Sequence, residues 1–151
     1  MKPYDRIIFV GQTGACREVM AAGILKDFTL KRPILVEARG LVVLFSEPVN
    51  QKAEAVLISN GIEVGKYTSR PLEESDFTEH TLVITMQRSH KKRILEQYEH
   101  AVEEDVQVLT ELVGDELEIM DPYGGSLSSY GLCYEALRGS IKKLVKKLNE
   151  E

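Results

Sequence analysis

The chain has 151 residues, 24 of them acidic and 19 basic, and its net charge of -5 removes any general attraction to nucleic acid or an anionic membrane. A hydrophobic content of 43% suits one α/β domain with a core covered on both sides, and residues 1–151 read as that single domain. Two cysteines, Cys16 and Cys133, lie far apart in the chain, with neither C-x-x-C spacing nor the density of a disulfide framework, so reduced thiols are expected and a metal site is not.

The first apolar run, residues 7–10, reads as a strand and is too short for a signal segment or a membrane span, so a cytoplasmic protein is expected. A helix follows over residues 18–28, with Val19, Ala22, Leu25 and Phe28 on one side of a 3.6-residue period. Residues 34–36 form the second expected strand. The segment 37–50, with Gly40, Pro48 and an apolar stretch at 41–45, is either a loop packed near a site or a short edge strand.

Asn50 is placed to cap a helix over residues 51–60 that Gly61 ends. A third strand is expected at 82–85 and a helix over 89–101, with Ile94, Leu95, Tyr98 and Ala101 inward and Lys91, Lys92 and Arg93 outward. A fourth strand is expected at 106–109. The last helix is marked by Tyr130, Cys133, Tyr134, Leu137, Ile141, Leu144, Val145 and Leu148 at three- and four-residue spacing, with lysines towards its negative end. His80, His90 and His100 stand in polar contexts without helical pairing and read as surface residues.

Strands alternating with helices imply a three-layer α/β fold, a four-stranded parallel sheet with helices on both faces and right-handed crossovers. Ligands of such sheets bind beyond the carboxyl ends of the strands. That is where Gly11-Gln12-Thr13-Gly14-Ala15-Cys16-Arg17-Glu18 joins the first strand to the first helix. The N–H groups of a tight turn and of a helix's first turn converge on a phosphate-sized anion, and Arg17 adds a planar clamp. A G-x-x-G turn alone is weak, since glycine often serves only the turn. No Gly-Lys-Ser/Thr follows, and no G-x-G-x-x-G is present, so nucleotide-binding loops are excluded.

The loop and its flanks, Ile7-Ile8-Phe9-Val10 before and Met20-Ala21-Ala22 after, resemble the opening V-C-x-G-N-x-C-R-S-P-M-A of the low-molecular-weight protein tyrosine phosphatases. Asp121-Pro122-Tyr123-Gly124-Gly125 resembles that family's D-P-Y/F-G-G segment, and Thr68-Ser69-Arg70-Pro71-Leu72 its S-R-x-L segment. Residues 82–86 are similar to its strand ending in methionine. The resemblance spans the chain, and it implies that family's fold, a phosphate loop made of Gln12, Thr13, Gly14, Ala15, Cys16 and Arg17, a general acid at Asp121 and an aromatic cleft wall at Tyr123.

The pattern departs at the decisive place. In the family the first cysteine of C-x5-R attacks phosphorus, and counting back from Arg17 puts Gly11 there. The family's glycine and asparagine become Thr13 and Gly14, and its serine after the arginine becomes Glu18. A carboxylate at 18 either opposes a bound dianion, pairs with Arg17, or simply sits well in a helix's first turn. Cys16 matches the second loop cysteine, a redox or structural partner or a small buried thiol. Asp121 is a general acid or the Asx turn that Asp-Pro favours.

A pseudophosphatase is therefore expected, one that binds a phosphate-like anion or a phosphorylated protein at residues 11–17 without hydrolysing it. The alternatives are a weak phosphomonoesterase using water with Arg17 and Asp121, or an interaction module with an empty loop and a contact surface at residues 41–45. No cofactor or metal is expected.

Overall fold

The apolar runs pair into one sheet in a computed structural model that describes residues 1–150. Strands β1 (Arg6–Gly11), β2 (Leu35–Gly40), β3 (Thr81–Thr85) and β4 (Val106–Val108) are all parallel, in the order β2-β1-β3-β4. β1 is central, and Ile7, Ile8, Phe9 and Val10 are fully buried, as unbroken apolar runs in a sheet covered on both faces should be. Alternation divides them. Ile7 and Phe9 join the larger core with Met20, Ile24 and Leu137, while Ile8 and Val10 pack with Val83, Ile94 and Val106 on the other face.

The larger core is covered by α1 (Arg17–Lys26), α2 (Gln51–Ser59), α4 (Leu109–Val113) and α5 (Leu127–Asn149), the smaller by α3 (Arg88–Gln97). Every residue of the α5 stripe is buried. The Asn50 side chain caps α2 by accepting from the N–H groups of Lys52 and Ala53 at 3.0 and 3.1 Å, and Gly61 follows in the left-handed region at φ 78°.

Several boundaries differ from the sequence reading. α1 is buried from Arg17 to Leu25 on all sides, not along one stripe, because the sheet, α2 and α5 enclose it. β2 continues through Glu37 and Arg39 to Gly40, so part of the segment 37–50 is an edge strand after all. Its charged residues are compensated: Glu37 accepts from Arg6 at 2.6 Å and from Arg39 at 2.9 Å, and Asp76 from Arg6 at 3.0 Å. Leu109 belongs not to β4 but to α4, five residues long and too short to show periodicity. α3 stops at Gln97, with Tyr98 and Ala101 packing beyond its end. The stretch 41–45 is a loop near the site, as one of the two readings had it: Leu41 packs on the smaller core and bonds Gly11 O, while Leu44 and Phe45 are 83% and 81% exposed. His90 is not a surface residue. It is buried in the first turn of α3, shortly after Gln87, which accepts from Arg17, and its Nδ1 has no hydrogen-bond partner among the described residues.

Candidate functional site: the loop after the first strand

β1 ends at Gly11 and α1 begins at Arg17, so the loop between them lies at the carboxyl edge of the sheet. Its backbone touches the end of β2. A Cβ on Gly40 would stand 2.5 Å from the Thr13 carbonyl carbon and 2.6 Å from the Gly14 nitrogen, and Gly14 itself has φ 79°. Neighbouring segments tie the loop down from outside. The Tyr67 hydroxyl donates to the Gly14 carbonyl, Asn50 N–H to Ala15 O at 2.8 Å, and the N–H groups of Leu41 and Val42 to Gly11 O and Gln12 O at 2.9 Å.

The interior of the loop holds the carboxylate of Glu18. Only 2% exposed, the side chain turns back from the first turn of α1. Its Oε2 accepts from Gly14 N–H at 3.1 Å and its Oε1 from Cys16 N–H at 2.9 Å. A Cβ built on Gly11 would lie 1.8 Å from Oε2, so this carboxylate occupies the space into which a side chain at position 11 would project. Burial pushes the Glu18 carboxyl above its ordinary range, against the pull of the loop N–H groups and of Arg17. Two of the loop's donors thus already have an acceptor. Glu18 also makes no ion pair with Arg17.

Arg17 is buried and engaged elsewhere. Nη1 donates to the Ile119 carbonyl at 2.7 Å and Nη2 to Gln87 Oε1 at 2.6 Å, with Asp121 Oδ2 3.8 Å from Nη2. Gln87 and Ile119 are site residues that sequence reasoning missed. The one available signal was that Gln87 stands two residues after the end of β3, at the same sheet edge as the loop.

Asp121 and Tyr123 do come together with the loop. A cleft of about 200 Å³ is lined by Gln12, Thr13, Cys16, Arg17, Glu18, Asp121 and Tyr123. Asp121 is exposed, and its Oδ1 accepts from Tyr123 N–H at 3.0 Å, the Asx-turn geometry. Tyr123 stands out into solvent at 79% exposure, and Ala15, within the loop, is buried. The two thiols are poor nucleophiles. Burial first, and then the charge of Glu18, push Cys16 up to about 12, and burial pushes Cys133 up to about 11. Among the described residues no group of His, Cys, Asp and Glu is placed to hold a metal ion, and no helix is long and apolar enough to cross a membrane.

The family model described as low molecular weight phosphotyrosine protein phosphatase matches residues 6–151. The chain belongs to that family. Among similar proteins is a protein-arginine-phosphatase of Geobacillus stearothermophilus, 30% identical over 150 residues that cover 99% of each chain. Another is the low molecular weight protein-tyrosine-phosphatase PtpB of Staphylococcus haemolyticus, 30% identical over 142 residues, covering 92% of this chain and 96% of the relative. The solved low molecular weight protein tyrosine phosphatase of T. tengcongensis superposes with a TM-score of 0.88 at 32% identity, covering 95% of this chain and 99% of that one. The α/β architecture with its four parallel strands is thus shared with these phosphatases over nearly the whole chain.

Proposed function

We propose that this chain is a catalytically inactive member of the low molecular weight phosphatase family, hydrolysing neither phosphorylated tyrosine nor phosphorylated arginine. The observation that carries this reading is the pair at the loop's centre: Gly11 supplies no nucleophile, and the space in front of it is filled by the Glu18 carboxylate. Cys16 does not replace the missing thiolate, since its thiol stays protonated at neutral pH.

Attack by water is disfavoured by the same carboxylate. A negative charge about 4 Å from another costs about 4 kcal/mol at an effective dielectric of 20, and a phosphoryl dianion carries more than one. Arg17, which would offset that charge, is spent on Ile119 and Gln87. Asp121 keeps the general-acid position but serves as a turn residue. Binding of a phosphorylated partner through the loop N–H groups requires Glu18 to leave them. The two free cysteines support a reducing, cytoplasmic setting.

A second reading, that the chain acts as an interaction module through residues 41–45, is favoured by the exposure of Leu44 and Phe45 beside the loop to which Leu41 and Val42 are bonded. It is compatible with inactivity.

Turnover of p-nitrophenyl phosphate and of a phosphoarginine peptide, measured beside Asp121→Asn, tests the reading. No release of phosphate above buffer is expected from either protein. Turnover that falls in Asp121→Asn overturns it.

A further inference from the structure

We infer that Glu18 is an internal ligand of the loop: its carboxylate stands in for a tetrahedral oxyanion, keeps the N–H donors satisfied in the ligand's absence, and shuts phosphate out. The inference rests on reading residues 11–17 as the phosphate loop of the family to which the chain belongs.

Three observations support it independently. The first is the bonding: Oε1 and Oε2 accept from two different loop N–H groups, at 2.9 and 3.1 Å, as two oxygens of a bound oxyanion would. The second is space. Glu18 is buried on every side, its Oε2 lies where a side chain at position 11 would project, and its two oxygens hold the N–H groups of Gly14 and Cys16, so a phosphate reaches those donors only by displacing the carboxylate. The third is the loop's outer support. The bonds from Tyr67, Asn50, Leu41 and Val42 all engage loop carbonyls from outside and none involves Glu18. Removing the carboxylate therefore leaves the N–H groups of Gly14 and Cys16 aimed at an empty, anion-sized space at the start of a helix.

Glycine at 11 and glutamate at 18 thereby explain one another. The carboxylate enters the loop only because residue 11 has no side chain, and it gives two loop N–H groups an acceptor in the absence of a phosphate. The family's donors are retained, and what changes is the acceptor, now a covalent part of the chain.

The test is a titration with inorganic phosphate, followed in the unaltered protein and in Glu18→Ser by calorimetry and by the melting temperature. Without the carboxylate, the apparent Kd for phosphate is expected to tighten by about ten-fold or more, the order of a lost like-charge contact, and the melting temperature to rise with phosphate. The unaltered protein is expected to show neither. Equal affinity in the two proteins overturns the inference, as does a folded Glu18→Ser that ignores phosphate. Should that variant fail to fold, the amide resonances of Gly14 and Cys16 in the unaltered protein decide. They are expected to stay in place as phosphate is added and to be protected from hydrogen exchange; movement with phosphate overturns the inference. The two readings fail separately. Turnover by the unaltered protein sinks inactivity, whereas phosphate binding without turnover sinks only the role given to Glu18.

Discussion

At the scale of single residues, the loop turns on one contact. Because a Cβ at position 11 would meet Glu18 Oε2 at 1.8 Å, Gly11→Cys is expected to destabilise the fold by about 1–3 kcal/mol, the range for overpacking a filled site. Glu18→Ser in the same chain should relieve most of that loss. Urea unfolding of the two single variants and the pair checks this, and additive losses would contradict it. Cys16 offers a second check. With its thiol pushed up to about 12, alkylation by iodoacetamide at pH 8 should be slow in the folded protein and rapid in urea. The substitutions at 11 and 18 were legible in the sequence; where the Glu18 carboxylate points was not. A glutamate in a helix's first turn reaches solvent, the neighbouring arginine or the preceding loop equally well, and spacing does not choose among them. The Arg17 partners were hidden for a different reason, since Gln87 and Ile119 reach the site from other segments of the chain.

At the scale of elements, what the sequence made visible was whatever repeats. The α5 stripe, the Asn50 cap and the β1 run follow from periodicity or from one local bond, and each appears as read. Asn50→Ala should cost about 1 kcal/mol through the two N–H groups it leaves without their acceptor, measurable by denaturation. α4 and the far end of β2 were not visible, because their reasons lie in tertiary pairing. β2 runs on through Glu37 and Arg39 since β1 offers partners as far as Gly11 opposite Gly40. The end of α4 is fastened to α5 by Asp115, which accepts from Ser140 at 2.6 Å and from Lys143. The Lys143 bond, and then that of Ser140, hold the Asp115 carboxyl below its ordinary 3.8. A depressed carboxyl stabilises the fold above the unfolded value, and that contribution is lost as pH falls through the folded one. Asp115→Asn should therefore be less stable than the unaltered protein at pH 7 by about 1 kcal/mol, with the gap closing below pH about 3.8 in urea titrations.

Across the whole molecule, the family's fold is kept around a loop that has no side chain at position 11. The four-stranded parallel sheet is that of the solved phosphatases, the loop lies at its carboxyl edge, and the cleft there is bounded by Asp121 and Tyr123. On the proposed reading, hydrolysis is absent because position 11 carries no sulfur and the N–H groups of Gly14 and Cys16 already have an acceptor. The most direct test compares hydrolysis of p-nitrophenyl phosphate by the unaltered protein, Gly11→Cys, Glu18→Ser and the pair. In the pair, the introduced thiolate attacks phosphorus, the oxygen of p-nitrophenol leaves with the proton of Asp121, and water then releases phosphate from sulfur. The account predicts turnover by the pair alone. Turnover by the unaltered protein, or by Gly11→Cys at the level of the pair, would contradict it.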